Sequence, residues 1–295
     1  METKVDILHN SCRALLDEFA RVCRENNLSW FADSGTLLGA VCHGAIIPWD
    51  EDVDVVMPRE DYNKLLDLGN SVFKDRFYLV SYKTYQTTCF TMWLIDLNTT
   101  FLQLRDLGTF YRPHGEQFTF IPCVGMNIEP IDFIPQDENE RNQLEETDDE
   151  FRKETFSQVG RPFSDEEREA FLTGCVERAD QLNTILTESN EQNKDSGLVF
   201  CPSWWCLGYR GHSIPASCFS DYIEMNIDGC TEKIRVPVGY DTILTDYYGD
   251  WHTPMPVNIE HHLSLIIVDG DHSYKDYEEL TNDQIRALIM NKKTL

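Results

Sequence analysis

Basic residues are scarce in this chain of 295 residues, because 25 Lys and Arg stand against 51 Asp and Glu and leave a formal net charge of -26. A protein that binds nucleic acid needs a positive surface that neutralises phosphates. We therefore expect no nucleic-acid partner. A phosphorylated ligand can bind only where a metal ion or a few local Arg residues reverse the sign of the charge.

Metal-binding cysteine pairs and long apolar runs are also lacking. The ten cysteines include no CxxC pair, which argues against a zinc-binding pattern. No apolar run approaches the length of a membrane span, and residues Met1 to Asp6 do not resemble a signal peptide. We expect no transmembrane segment and a place in the cytoplasm, with peripheral attachment to the inner membrane face left open.

The periodicity of apolar residues predicts an α+β fold. From Ile7 to Arg24 they recur mostly at spacings of three and four, as in an amphipathic helix. Alternating or β-branched stretches predict strands. The predicted strands cover residues 28–31, 50–57, 77–81, 90–94, 101–104, 118–121 and 126–133, and further helices cover 61–68, 138–153, 165–186 and 277–290.

The composition also predicts a division of the chain. Between Gln136 and Lys194 the sequence becomes strongly acidic and polar. We predict a catalytic core over residues 1–135, a helical insertion or second lobe over 136–200, and a C-terminal part over 201–295 that completes the domain.

Three carboxylates occupy alternate positions of one predicted strand. Asp50, Asp52 and Asp54 share a face of an extended segment, where their negative charges repel one another. A hard divalent cation such as Mg²⁺ or Mn²⁺ offsets this repulsion and can orient phosphate groups. The pattern therefore predicts a metal site.

Two simpler interpretations compete with a catalytic metal. A short run of acids is often a solvated turn. An EF-hand calcium loop also begins with alternating acids, but here its sixth position is Val55, Pro58 interrupts it, and its twelfth position is Asp61. Calcium binding is therefore disfavoured, while the solvated turn stays open.

A small-residue turn precedes the acidic strand. Ser34-Gly35-Thr36 leads into a predicted helix, and such turns present backbone N–H groups to phosphate. A phosphate turn followed by an acid–apolar–acid strand is the pattern of the nucleotidyltransferase superfamily. Asp52-Val53-Asp54 fits it, whereas Asp50-Glu51-Asp52 has a charge at the apolar position. Asp52 and Asp54 therefore rank first.

A longer stretch resembles a known family. The run WFADSGTLLGAVCHGAIIPWDEDVDVVMPREDY, residues 30–62, is similar to the LicD pattern GTLLGAVRHGxxIPWDDDxDVxMPRxDY, which is also related to fukutin-related protein. Gln103 to Asp106 resembles the KxRD segment of that family. Tyr248 to Trp251, followed by Pro254 and Pro256, resembles its YGDY…PP segment.

The resemblance implies a nucleotidyltransferase-like mixed sheet flanked by helices and a transfer of phosphocholine or polyol phosphate. The implied donor is CDP-linked, such as CDP-choline, and the acceptor is a glycan or lipid-linked glycan. It implies Asp52 and Asp54 as catalytic metal ligands with Asp50 nearby. A further catalytic acid is expected at Glu129, and Asp132 is the alternative. The simpler interpretation is that either carboxylate has only a structural role.

The remaining implied residues bind the donor. Ser34, Gly35, Thr36 and Arg105 are candidates for its phosphates. Trp204, Trp205 and Trp251, with Tyr209 beside them, are candidates for a choline head group through cation–π contact, although core packing is the expected role of at least half of this set.

The sequence departs from the family pattern at two cations. Cys42 stands where the family has Arg, and Gln103 stands where it has Lys. Both changes weaken the case for an ordinary donor. Either Arg105 carries more of the interaction with the donor, or the donor differs from the usual one, or activity is reduced. Two other functions also remain open: a catalytically silent module that binds a nucleotide or glycan, and a nucleotidyl transferase.

Overall fold

The N-terminal helix α1 (Lys4–Glu25) buries the apolar stripe seen in the sequence. In the computed structural model, Leu15 and Phe19 of this helix are completely buried. Thr3 starts α1 with a capping box, since its hydroxyl oxygen accepts a hydrogen bond from the backbone N–H of Asp6 at 3.1 Å. The predicted amphipathic helix is confirmed. The structure describes residues 3–85, 87–88, 90–107, 121–158, 163–201, 212–253, 265–291 and 293–295.

The rest of the described chain contains both helices and strands. The helices are α2 (Ser34–His43), α3 (Arg59–Leu68), α4 (Glu138–Phe156), α5 (Asp165–Gln192), α6 (Tyr240–Tyr248), α7 (Tyr274–Tyr277) and α8 (Asn282–Met290). The strands are β1 (Phe31–Ala32), β2 (Val53–Pro58), β3 (Phe77–Val80), β4 (Met92–Asp96), β5 (Thr100–Gln103), β6 (Gly125–Phe133), β7 (Leu198–Cys201), β8 (His212–Pro215), β9 (Tyr222–Met225), β10 (Ile234–Pro237) and β11 (Ile266–Asp269).

Strand β6 is the centre of a mixed sheet. The strand order is β1-β2-β6-β4-β3, and β7 pairs with both β6 and β8. Among the described pairs of this sheet, β2–β6 is parallel. The pairs β1–β2, β4–β6, β3–β4, β6–β7 and β7–β8 are antiparallel. Two smaller antiparallel pairs, β9–β10 and β5–β11, complete the described strands. The predicted α+β fold with a mixed sheet is confirmed at this level.

The structure shifts several predicted boundaries. The strand predicted over 50–57 begins only at Val53, because Asp50 is held in the turn by the hydrogen bond from its N–H to the carbonyl of Ile47 at 3.0 Å. The helix predicted over 277–290 begins at Asn282, because Thr281 caps it there. Residues 118–120 of one predicted strand lie outside the described residues.

Helices α4 and α5 correspond to the predicted acidic helical segment. They follow the end of β6, and the chain returns from them into β7, which pairs beside β6. Leu182 and Leu186 of α5 pack with Ile134 and Phe200 in a small apolar cluster. The division at 136 and 201 stays a prediction. None of the helices within the described ranges is both long and apolar enough to cross a membrane.

A buried ion pair joins three elements at the end of β2. Nε of Arg59 donates to Oδ1 of Asp132 on β6 at 2.6 Å, and a second guanidinium nitrogen donates to Oδ2. Nη1 of Arg59 also donates to Oδ1 of Asn183 on α5 at 2.8 Å. Both charged side chains are only 3% exposed. This pair therefore ties the acid-bearing strand to the centre of the sheet and to the acidic helices.

We predict that Asp132→Asn lowers the free energy of unfolding by about 3 kcal/mol, because it leaves the buried guanidinium without its bidentate carboxylate. Urea denaturation measures the change. The control is Glu60→Gln, which breaks an exposed pair with Lys64 and should change stability by less than about 0.5 kcal/mol. Equal effects of the two substitutions would contradict a structural role for the pair.

Candidate functional site

Strand pairing places three polar side chains in one row across the sheet. In the antiparallel β1–β2 pair, Ala32 lies opposite Val55, and the N–H of Asp33 then donates to the carbonyl of Asp54 at 3.1 Å. In the parallel β2–β6 pair, Asp54 lies opposite Asn127. Side chains in register on neighbouring strands lie on the same face of a sheet. Asp33, Asp54 and Asn127 therefore face the same side.

Asn127 holds the two highest-ranked carboxylates together. Its Nδ2 donates to Oδ2 of Asp52 at 3.1 Å and to Oδ1 of Asp54 at 2.9 Å. Val53 and Val55 are buried in the main core, so the alternation of β2 turns Asp54 to the opposite side. Asp52, the residue just before β2, meets the same amide there. The structure thus brings Asp52 and Asp54 to one point, and the amide offsets part of their repulsion.

The acids of this site bind protons more tightly than isolated carboxylates. Burial, with the charges of Asp52 and Glu51, raises the pKa of Asp50 to about 7. Burial, with the charge of Glu51, raises the pKa of Asp52 to about 6. Burial, with the charge of Asp52, raises the pKa of Asp54 well above its ordinary value. Perturbed carboxylates of this kind are typical of functional sites.

Asp50 lies against the turn rather than beside Asn127. Its Oδ2 occupies the space where a Cβ on Gly35 would be, so a larger residue at that position would have to push the Asp50 carboxylate aside. The carboxylate of Asp50 therefore packs on the first turn of α2. Asp50 contributes charge to the acid cluster, which we define as Asp33, Asp50, Asp52 and Asp54.

The predicted phosphate turn forms the N-terminus of α2. Ser34 has a φ of 47°, a left-handed backbone conformation that is strained for a residue other than glycine. The side chain of Asp33 makes no capping hydrogen bond to α2. Thr36 has a different role: its Oγ1 accepts a hydrogen bond from the N–H of Asp54 at 3.0 Å. It holds β2 against α2.

Arg105 lies at the mouth of the site. Its Nη2 donates to Oε1 of Glu51 at 3.3 Å, and Nε2 of Gln103 donates to the same oxygen at 3.1 Å. The side chain of Arg105 is 69% exposed, and its charge lowers the pKa of Asp52. Arg105 is therefore a cation close to the acid pair that can still reach a ligand.

Helix α6 carries two tyrosines to the acid cluster from a distant part of the chain. The hydroxyl of Tyr247 donates to Oδ1 of Asp33 at 3.3 Å, while Oδ2 of Asp33 accepts from the Ser34 hydroxyl at 3.1 Å. Burial and the charges of all four acids raise the pKa of Tyr248, led among those charges by Asp33. The YGDW segment therefore adjoins the acidic strand.

Glu129 does not join the acid pair directly. It lines a cavity of about 20 Å³ together with Arg59, Phe90 and Arg152, which is room for one water molecule. Its Oε2 is buried and has no hydrogen-bond partner among the described residues. Burial raises the pKa of Glu129 to about 8, against the opposing charge of Arg152. The alternative acid, Asp132, is engaged by Arg59.

The predicted head-group tryptophans are only partly located. Trp204 and Trp205 lie outside the described residues. Trp251 follows the end of α6, where its ring stacks on His252 with centroids 3.8 Å apart and meets Tyr240 edge on at 6.4 Å. Trp251 also packs against the main core. Its ring is therefore engaged in packing.

Sequence reasoning missed Asp33, Asn127 and Tyr247 as members of this site. The run from 30 to 62 already contained Asp33, but the acid–apolar–acid pattern directed attention to β2 alone. Two positions before Glu129 on the same predicted strand stood Asn127, which the period of two would have placed on the same face. Tyr247 had no comparable signal, because its contact with Asp33 spans 214 residues.

Comparison with known proteins identifies the family. Residues 27–122, which contain the phosphate turn and the acidic strand, match the family model described as "LicD/FKTN/FKRP, nucleotidyltransferase domain". Over these residues the chain carries the LicD-family domain. This match confirms the resemblance predicted from residues 30–62.

Three curated relatives match parts of the chain. The lipopolysaccharide cholinephosphotransferase LicD of Haemophilus influenzae is 40% identical over 57 residues, which are 19% of this chain and 22% of that protein. An uncharacterized protein of Rickettsia prowazekii is 36% identical over 75 residues, 25% of this chain and 28% of the relative. An uncharacterized protein of Rickettsia typhi is 33% identical over 73 residues, which are 22% of this chain and 24% of the relative. Each alignment thus spans roughly a quarter of the relative's length.

We predict that Gly35→Ala disturbs the site by forcing the Asp50 carboxylate aside, with a loss of about 1–3 kcal/mol in the free energy of unfolding. The loss should be smaller in an Asp50→Ala background, because the alanine methyl group at position 35 then has space. The interaction free energy between positions 35 and 50 in a double-mutant cycle should therefore be at least about 0.5 kcal/mol. Urea denaturation provides all four values.

Gly174→Ala is the matched control for that cycle, because its methyl group meets only the flexible guanidinium of Arg178 inside α5. It should not destabilise the protein, since alanine favours a helix over glycine. Additive effects of Gly35→Ala and Asp50→Ala would show that the two groups do not compete for space.

Proposed function

We propose that this chain is a metal-dependent phosphotransferase that moves a phosphorylated head group, phosphocholine first of all, from a CDP-linked donor to a glycan hydroxyl. The observation that carries the proposal is the Asn127 amide joining the carboxylates of Asp52 and Asp54, inside the region that matches the LicD family. The name of the Haemophilus influenzae relative, a cholinephosphotransferase acting on lipopolysaccharide, supports the head group and the glycan acceptor.

The donor set at Asp52 and Asp54 fits Mg²⁺ or Mn²⁺. Within the described ranges, no three His, Cys, Asp or Glu side chains form a group that could hold a metal by themselves. Mg²⁺ does not need such a cage, because it commonly takes one or two carboxylates and completes its octahedron with water and substrate phosphates. When bound, the cation would neutralise charge on the donor diphosphate. The third carboxylate, Asp50, would attract the cation electrostatically without coordinating it.

Residues around the pair are suited to binding the donor. The uncapped start of α2 at Ser34 and Gly35 offers backbone N–H groups to a phosphate. Arg105 offers a guanidinium, which can bind two phosphate oxygens at once. Thr36 instead keeps Asp54 in place through the hydrogen bond to its N–H. We propose that Ser34, Gly35 and Arg105 contact the donor directly and that Thr36 acts through β2.

The contacts of Gln103 and Arg105 bear on the two missing family cations. Gln103, at the position of the family Lys, shares the Glu51 oxygen with Arg105, so both side chains are held beside the acid pair. We propose that Arg105 takes most of the interaction with the donor phosphate. Glu129, the further catalytic acid that the resemblance implies, lies on the same strand, β6, as Asn127. We propose that it influences the reaction through that strand.

The mixed sheet agrees with a nucleotidyltransferase-like core. The phosphate turn precedes β2, and the acids on β2 adjoin the partner strand β6. We propose this core as the catalytic unit. We also propose a peripheral position at a membrane face, since a lipid-linked glycan would present its hydroxyl there.

We predict that Mg²⁺ raises the melting temperature of the protein, and more strongly at pH 8 than at pH 5.5. The raised pKa values of Asp50 and Asp52 mean that the metal-free fold holds extra protons and loses stability as pH rises between about 4 and 7. Mg²⁺ binding needs the charged carboxylates, so its effect grows over the same interval. Differential scanning fluorimetry measures both dependences.

Asp54→Asn should remove the Mg²⁺-dependent shift and flatten the fall of melting temperature with pH. Asp283→Asn, a carboxylate-to-amide change at a side chain that is 91% exposed on α8, serves as control and should preserve both. A shift that persists in Asp54→Asn would place the cation elsewhere.

We predict that the protein, incubated with CDP-choline, Mg²⁺ and a lipopolysaccharide or oligosaccharide acceptor, releases CMP and modifies the acceptor. Asp52→Asn and Asp54→Asn should each lower kcat/KM at least about 100-fold while the protein stays folded. Chromatography of nucleotides and mass spectrometry of the acceptor give the readouts.

The same assay separates the competing functions. Pyrophosphate release from nucleoside triphosphates would indicate a nucleotidyl transferase, and nucleotide binding without turnover would indicate a silent module. Full activity in Asp54→Asn would refute the proposed role of the acid pair.

A further inference from the structure

Tyr248 is an exposed aromatic residue beside a buried cluster of acids. It is the last residue of α6, where Ile243 and Leu244 are completely buried. Tyr248 itself is 39% exposed. The preceding Tyr247 fixes this end of α6 through its hydrogen bond to Asp33. The position of the exposed ring is therefore set by the packing of α6 on the core together with the contact of Tyr247 to Asp33.

The rings of Tyr247 and Tyr248 meet at nearly a right angle. Their centroids are 6.1 Å apart and their planes differ by 82°. Two perpendicular aromatic rings form the corner of a cage, the arrangement that proteins use to surround quaternary ammonium groups. One wall of this corner is tied to the Asp33 carboxylate, and the other is open to solvent.

The charge around this corner favours a cation. All four members of the acid cluster act on the Tyr248 hydroxyl and raise its pKa, with burial as the largest cause. A neutral nucleobase gains little from such a field, and a phosphate is repelled by it unless a metal lies between. A weakly hydrated cation gains from the field and from the face of the ring together.

Two other described aromatic residues near the surface lack this combination. The Trp251 ring is stacked on His252. Tyr222 on β9, also 39% exposed, already has the guanidinium of Arg235 over its ring at 4.7 Å. Tyr248 instead presents an exposed ring beside the acid cluster, through the neighbouring contact of Tyr247 with Asp33.

We infer that Tyr248, in the corner formed with Tyr247 and next to Asp33, is a binding site for the quaternary ammonium of the transferred head group. The identity of the ligand as choline rests on the proposed function. Two methylene groups separate the choline nitrogen from its phosphate ester oxygen, so the ammonium must lie close to the residues that hold the donor phosphate. Tyr248 satisfies this condition because it adjoins the acid cluster.

Isothermal titration with tetramethylammonium chloride, and separately with phosphocholine, tests the inference without requiring turnover. Tyr248→Leu should weaken binding of both probes at least about fivefold, the effect expected for losing one cation–π contact. Tyr248→Phe keeps the ring and should remain within about twofold of the wild type. Tyr222→Leu, the control of equal exposure, should not change binding, and CMP should bind all variants alike.

The outcomes separate this inference from the proposed function. Unchanged tetramethylammonium binding in Tyr248→Leu, or no binding by the wild type, would overturn it. A loss of CMP affinity alone would show that the ring stacks on the nucleobase and would also overturn it. Tyr248-dependent binding of tetramethylammonium by a protein that does not release CMP from CDP-choline would support the inference while the proposed transfer fails.

Discussion

The hydrogen-bonded register of β1, β2 and β6 is the constraint on which the site depends. It sets Asp33 beside Asp54 and Asp54 beside Asn127, so negative side chains that repel one another are held on one face. A slip of one residue in β2 would turn these acids into the core and its valines to the surface. The apolar burial of Val53 and Val55 therefore holds the acids in place, and the repulsion among them is offset only partly, by the Asn127 amide.

The surrounding elements stabilise this arrangement from several directions. Arg59 ties the end of β2 to β6 through Asp132, and Thr36 ties its start to α2 through the N–H of Asp54. Tyr247 brings α6 to the same place from the C-terminal part of the chain. A cluster of acids with raised pKa values can persist in a metal-free fold only because such contacts hold the backbone that carries it. A bound cation would then relieve the charge.

Local patterns in the sequence predicted the parts of this site that lie close together along the chain. The alternation in Asp52-Val53-Asp54 predicted a strand with its acids on one side, and the spacing of apolar residues predicted α1 and the acidic helices α4 and α5. Partners distant in sequence were missed because periodicity carries no information about pairing: Asn127 reaches Asp54 across 73 residues. Glu129 shares β6 with Asn127, yet it lines a separate cavity beside Arg59 and Arg152. Which of several acids joins a site is decided by tertiary packing, which the motif alone does not describe.

We propose that Asp52 and Asp54 together hold a divalent cation that binds the donor diphosphate. X-ray diffraction from crystals grown with Mn²⁺ and CDP-choline, recorded near the manganese absorption edge, tests it most directly. We expect an anomalous peak within coordination distance, roughly 2.0–2.3 Å, of carboxylate oxygens from both Asp52 and Asp54, with diphosphate oxygens completing the sphere and facing the start of α2. A peak that avoids this pair, or a diphosphate bound away from it, would contradict the account.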